Sequence, residues 1–401
     1  MKVTLQDIQN ARTRLSGVVH HTETSHSNSL SQWVGSQVHL KSENLQRTGS
    51  FKIRGAYNKI VSLTDEEKKR GVVASSAGNH AQGVALSARL QGVKATIVMP
   101  EGASLNKISA TRGYGAEVVL HGEIYDDAYA KAREIESRTG AVFVHPYEDA
   151  MVIAGQGTVG LEMLEAVPDL DTVLVAVGGG GLIAGVATAI KALRPQCRVI
   201  GVQSQAADAM TRLFRGQSAA APGARIATIA DGIAVKTPSA AMHADFLSKH
   251  VDEMVTVNDD QIAAAIVYLL ERTKNLVEGA GAAAVAALMS GQVKVGPKVG
   301  VVLSGGNIDL NIIAKIVSRG LIQQGRLAEI SVIVDDQPGT MHRLTKIFAD
   351  QRANILEVHH DRVERGLSLR EAKVDFVVEM VSHEHAEQLK QALQKAGARL
   401  L

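Results

Sequence analysis

The chain reads as an α/β protein: a main body of mainly parallel sheets in two lobes, with helices on both faces, followed by a small separate βαββαβ unit. Three observations predict this. From about Gly71, short β-branched runs alternate with stretches of helical spacing, the rhythm of βαβ units. Several of those runs end in glycine-rich or polar turns, as happens where a strand hands over to a helix. After Ile322 the rhythm changes to strand, helix, two strands and helix.

Taken in order, GVVASS, KATIVMP, AEVVLHG, AVFVHPY, TVLVAVGG and RVIGVQS predict strands. Between them, Asn79–Gln91 and Glu123–Thr139 carry apolar residues at helical spacing and end in Gly or Asn, which predicts helices. Strands on both sides of 145–160 predict two sheets with a cleft between the lobes, the smaller lobe covering roughly 50–145. The polar stretch QQGRLAE separates a main domain at 1–322 from a second at 328–401. In the second, strands are expected at Ile330–Val334, Asn354–Val358 and Lys373–Met380, helices at Met341–Gln351 and His383–Ala396, and a last strand at ARLL.

Composition narrows the function. With 401 residues, 45% of them apolar, the chain has enough material for two or three cores. Lys plus Arg number 43 against 41 Asp plus Glu, a net +2 without basic blocks, which argues against a nucleic-acid partner. The N-terminus mixes charge where a signal peptide needs an apolar core. The uncharged run Val173–Ile190 contains four consecutive glycines, so it reads as strand, turn and helix start, and no membrane partner is expected. One cysteine, Cys197, cannot form an internal disulfide and leaves a zinc cluster without ligands, which points to the cytoplasm. It reads as a buried small hydrophobe. The pairs His20–His21, His359–His360 and His383/His385 lack companions at ligand spacing, and no metal is assigned.

Four places can carry chemistry. Gly178-Gly179-Gly180-Gly181-Leu182 follows a strand and opens a helix, so its backbone N–H groups can converge on a phosphate with the helix dipole behind them. A tight turn for close helix packing is the plainer alternative. Ser75–Gln82 supplies hydroxyls, an amide and backbone donors that suit a carboxylate, although an ordinary N-cap would use the same residues. Ser304-Gly305-Gly306-Asn307 puts a hydroxyl at a strand end, or is a simple turn. Lys52 lies between apolar neighbours with Arg54 close by; desolvation and a second cation would lower its pKa and make it a nucleophile toward carbonyls. An activated amine, a phosphate cradle and a carboxylate-binding turn are together what a phosphorylated aldehyde cofactor requires.

With these residues in view, the chain resembles the fold type II pyridoxal phosphate enzymes, and among them the threonine dehydratases (threonine ammonia-lyases). SFKIRGA, SSAGNHAQG, IAGQGTVGLE, VGGGGLIAG, ADGIAV, EGAGA and LSGGN occur in family order. The tail resembles an ACT domain through Val334-Asp335-Asp336-Gln337-Pro338-Gly339 and Ala353-Asn354-Ile355. The resemblance implies that Lys52 binds pyridoxal 5′-phosphate covalently, that Phe51 and Asn79 flank or hydrogen-bond its ring, and that Gly178, Gly179, Gly180, Gly181 and Leu182 hold its phosphate. Ser304 would face the ring nitrogen, Gly232 and Glu278 would line ring and substrate, and Ser76, Gly78, Asn79 and His80 would bind the substrate carboxylate. The implied reaction turns L-threonine into 2-oxobutanoate and ammonia, with L-serine to pyruvate as a side activity, in isoleucine biosynthesis or threonine breakdown.

The resemblance also frames the alternatives. Serine racemases place a second acid/base serine where this chain has Ala77, and their cation ligands fall where it has Gln203 and Ala209, with Asp208 nearby. A β-replacement synthase lacks the additional tail, and a silent amino-acid sensor would not need Lys52. The ACT-like tail implies an amino-acid effector, isoleucine or valine, near Gln337 and Gly339, and a homodimer or homotetramer.

Overall fold

A computed structural model describes residues 1–218, 226–364 and 366–401. The chain divides into two compact units, Met1–Asp309 and Leu310–Leu401. The helix Leu310–Gln323, placed with the main domain by the sequence, therefore groups with the C-terminal unit.

The first unit holds two sheets. The larger has the order Thr24–His26, Gln37–Lys41, Lys298–Val302, Thr172–Ala176, Arg198–Ser204, Glu253–Val257, and only the outermost pair, Thr24–His26 with Gln37–Lys41, is antiparallel. The smaller is wholly parallel, in the order Glu117–Leu120, Ala95–Met99, Val72–Ser75, Val142–Phe143. Central strands are apolar on both faces because helices cover both: every residue of Val72–Ser75 and of Thr172–Ala176 is buried. The predicted strand AVFVHPY shrinks to Val142–Phe143, since the residues after it turn away to meet the site. Cys197 is fully buried in the larger core, and burial pushes its thiol up to about 11.

Helix Lys52–Val61 packs on helices Asn79–Leu90 and Ala150–Ala166. Small residues let them approach: a Cβ on Gly155 would lie 2.7 Å from Gly55 Cα, and one on Gly83 would lie 3.1 Å from the Lys52 carbonyl carbon. Those contacts fix the backbone of Lys52 from two sides.

A buried ionic cluster fixes it from below. Arg54, fully buried, donates to both Glu43 oxygens at 2.8 Å, to Glu162 at 2.6 and 2.8 Å, and to Thr158 at 3.0 Å. Lys41 Nζ completes it through Glu162 at 2.5 Å and the Thr22 carbonyl at 2.6 Å. Arg54 thus spends its charge on two carboxylates, and the expectation that it depresses the Lys52 pKa is corrected: burial alone does that.

The C-terminal unit has one antiparallel sheet, Asn354–Asp361, Glu371–Glu379, Leu327–Asp335, Arg399–Leu400, with helices Thr340–Asp350 and His383–Lys395. This is the predicted βαββαβ order. Ile330, Val332, Val334, Val374, Phe376 and Val378 face Leu344, Phe348, Leu389 and Leu393, so strand alternation meets helical spacing in one core. Gly339, at φ +88°, turns the chain into helix Thr340–Asp350, and the Thr340 N–H donates to the Gln337 carbonyl at 3.1 Å.

Candidate active site

Three of the segments named from the sequence, those of Ser76–Gln82, Gly178–Leu182 and Ser304–Asn307, leave the carboxyl ends of parallel strands in the two sheets of the first unit, where ligands bind in such folds. Lys52 opens its helix directly after a bridge between Ser50 and Gly305. The Phe51 N–H donates to the Ser304 carbonyl at 3.2 Å and the Gly306 N–H to the Gly49 carbonyl at 2.8 Å, so the turn carrying Lys52 is zipped to the turn carrying Ser304. Lys52 Nζ donates to the Pro146 carbonyl at 3.0 Å and lies 5.2 Å from the Phe51 ring centre. Burial pulls its pKa down to about 8, against the pull of the Glu278 carboxylate.

Pro146 belongs to a segment that no sequence motif marks. His145, Pro146 and Tyr147 follow Val142–Phe143 and join three parts of the site. His80 Nε2 lies 2.8 Å from the Val144 carbonyl, and because a carbonyl only accepts, this nitrogen carries the hydrogen. His80 Nδ1 is left bare and buried without a partner. Burial and the charge of Lys52 drive its pKa down to about 3, and the same causes hold His145 at about 4. His145 Nδ1 accepts the Glu148 N–H at 2.8 Å. Both imidazoles beside the amine are therefore neutral near pH 7.

Tyr147 meets the glycine turn. A Cβ on Gly179 would run into its ring, and one on Gly181 would come within 2.8 Å of its Cα. Gly180, at φ +94°, precedes helix Gly181–Leu193, which has no side-chain cap. Its first internal bond runs from the Ala184 N–H to the Gly180 carbonyl at 2.9 Å, leaving the N–H groups of the opening turn without intrahelical partners. On its other side a Cβ on Gly178 would lie 3.0 Å from Ile233 Cα.

The Ile233 loop leads to the remaining residues. Gly232 faces Glu278, whose Oε1 would lie 3.6 Å from a Cβ there. Asn79 Nδ2 donates to Glu278 Oε1 at 2.6 Å, and Asn307 Nδ2 donates to Asn79 Oδ1 and to the Thr48 carbonyl, both at 2.7 Å. Burial, with Asp231 nearby, pushes the Glu278 carboxyl up to about 7. Contacts thus run in a closed circuit from Lys52 through Pro146, Tyr147, the glycine turn, Ile233, Gly232, Glu278, Asn79 and Asn307 back to Thr48. Ser76 accepts the Gly78 N–H at 3.2 Å, and helix Asn79–Leu90 begins without a side-chain cap, which leaves its N–H groups open to an anion.

Elsewhere in this unit, Gln203 Oε1 accepts from the Thr211 N–H and hydroxyl at 2.7 and 2.8 Å, and Asp208 pairs with Arg212. Gln337 and Gly339 lie in the C-terminal unit. Among the described residues, no helix is long and apolar enough to cross a membrane.

Comparison with known proteins shows the family. The family described as pyridoxal-phosphate dependent enzyme matches residues 15–305, and the ACT domain matches residues 328–398. The chain belongs to the pyridoxal-phosphate dependent enzyme family, and its cofactor is pyridoxal phosphate. Its relatives include the L-threonine ammonia-lyase of Thermotoga maritima, 50% identical over 98% of both chains. Among solved structures, the processed form of threonine deaminase isoform 2 from Solanum lycopersicum is 36% identical with a TM-score of 0.73, covering 79% of this chain and 89% of its own. A maize serine racemase is 35% identical with a TM-score of 0.74, covering 80% and 99%.

Proposed function

We propose that this protein deaminates L-threonine to 2-oxobutanoate and ammonia, with slower turnover of L-serine to pyruvate, at a site centred on Lys52. The observation that carries the proposal is the placing of the Lys52 amine and the open glycine turn on one short segment, Pro146–Tyr147. A reactive amine and a phosphate cradle adjoin each other there. Three features support the fit of pyridoxal phosphate to these residues. The helix that follows the glycine turn opens with N–H groups that have no side-chain cap or intrahelical partner, burial pulls the Lys52 pKa down to about 8, and the buried His80 Nδ1 has no protein partner.

In this reading the N–H groups of Gly178, Gly179, Gly180, Gly181 and Leu182 hold the phosphate, Phe51 packs on the ring, and Asn79 donates to its 3-oxygen. Gly232 and Glu278 line the other edge. Ser304 meets the ring nitrogen with a neutral hydroxyl. Pyridoxal phosphate, when bound, supplies the electron sink for bonds at the substrate α-carbon. Lys52 Nζ takes the α-proton, since its depressed pKa keeps a usable fraction uncharged. The Ser76 hydroxyl and the N–H groups at Asn79 and His80 hold the substrate carboxylate, and the Gly78 N–H holds the Ser76 oxygen in place. For His80 the backbone serves, because its ring hydrogen is already given to Val144.

Ala77 separates this reading from racemisation, because a methyl group cannot return a proton to the opposite face of the α-carbon. The test is the full chain with pyridoxal phosphate, offered L-threonine, L-serine and D-serine in turn. Keto acid from L-threonine, less from L-serine and no interconversion of the serine enantiomers is the expected pattern; serine racemisation faster than threonine loss overturns it.

The reading extends to a cytoplasmic homodimer or homotetramer, in which isoleucine or valine binds near Gln337 and Gly339 and tunes the site. The ACT match and the exposed turn before helix Thr340–Asp350 support it. Threonine saturation curves taken with and without each amino acid should differ in half-saturation; identical curves exclude both effectors.

A further inference from the structure

The hydrogen bonds around Asn79 have a direction, and it starts at a backbone atom. The Thr48 carbonyl can only accept, so the Asn307 atom 2.7 Å away is Nδ2. That nitrogen has a second hydrogen, directed at the Asn79 amide 2.7 Å away, so the Asn79 atom facing it is Oδ1. The other end of Asn79 is therefore Nδ2, which spends one hydrogen on Glu278 Oε1 at 2.6 Å and keeps one more.

From this order we infer that Asn307 is a positioning residue: it fixes the Asn79 amide so that a donor, and never an acceptor, is offered to the 3-oxygen of the cofactor. The inference rests on the proposed placing of that cofactor beside Asn79. Glu278 alone cannot set the orientation. Burial pushes its carboxyl up to about 7, so its protonated form is accessible, and a protonated carboxyl could donate to Oδ1 of a reversed amide. Asn307 has no such freedom, because the carbonyl it reads never changes. It is also held in place: a Cβ on Gly49, at φ +71°, would run into its Oδ1, and Gly49 and Gly306 are joined by a backbone bond at 2.8 Å. One side chain thus sets both the turn that carries Lys52 and the amide on the opposite helix.

The test uses the full chain and three variants: N307L, N307D and N307D/E278Q. N307L removes the donor at similar volume. Its bound cofactor should show an altered absorption band and leave faster to an apo-protein acceptor, and turnover should fall about a hundredfold, as expected for a misplaced contact. In N307D the new carboxylate pulls Asn79 Nδ2 toward itself and leaves Oδ1 facing Glu278. N307D/E278Q supplies a donor at position 278, which satisfies the Oδ1 of the reversed Asn79 amide, while the Thr48 carbonyl stays without its donor in both N307D variants. Its cofactor-free thermal midpoint should recover in part relative to N307D while the absorption band stays altered. A purely structural role predicts that band and midpoint recover together, so a wild-type band in N307D/E278Q overturns the inference. So does a folded N307L with wild-type band and release rate, and if N307L does not fold, the double variant decides. Failure of the wild-type chain to bind the cofactor on Lys52 would instead refute the proposed site.

Discussion

Lys52 is surrounded by groups that are mostly uncharged near pH 7: His80 at about 3, His145 at about 4, and a Glu278 balanced at about 7. The amine is thus governed by burial and by one carboxylate. An amine attacks an aldehyde in its uncharged form, so capture of pyridoxal phosphate by the cofactor-free chain should rise as pH climbs through about 8. The Glu278 carboxylate stabilises the ammonium, so E278Q should move that midpoint to lower pH. The measurement is the rate of covalent capture against pH in both proteins, and a midpoint that stays or rises in E278Q contradicts the assignment. Some of this is legible in the sequence: Lys52, Asn79, the glycine run and Ser304 stand in motifs at strand ends. Arg54 misleads, because charge proximity in sequence says nothing of Glu43 and Glu162, which fold back to claim it.

Among the elements, helix Lys52–Val61 carries the chemistry at its first residue and the ionic cluster two residues later. The cluster excludes water, and its charges are compensated only while all partners are present. R54A strands the Glu43 carboxylate with no cation at hydrogen-bond distance and weakens the hold on Glu162, which should cost about 3–5 kcal/mol of unfolding free energy. Urea unfolding of the full chain measures it, and a loss below about 1 kcal/mol would show that the cluster is not closed to solvent. Strand and helix periods make most elements readable, including strand Glu371–Glu379 of the C-terminal unit, whose residues alternate between the core and the opposite face. The stretch from His145 to Tyr147 is not readable, for its importance lies in a carbonyl and a ring that meet Lys52 and the glycine turn only once two sheets are assembled. Asn307 is in view as part of a turn, but its bonds to Thr48 and Asn79 join residues more than two hundred positions apart.

At the scale of the molecule, the larger unit supplies the two sheets whose strand ends converge on one circuit of contacts, and the smaller supplies an ACT fold. The order of motifs along the chain makes that architecture legible, whereas the division at Asp309–Leu310 is not, because the polar stretch that reads as a linker, QQGRLAE, begins only at the end of helix Leu310–Gln323. Everything proposed for the larger unit depends on which amine holds the cofactor. Purified full-length chain, loaded with pyridoxal phosphate, reduced with borohydride and digested, should yield one dominant pyridoxyl-modified peptide, bearing the label on Lys52. A label on any other lysine, or none after loading, would contradict the account.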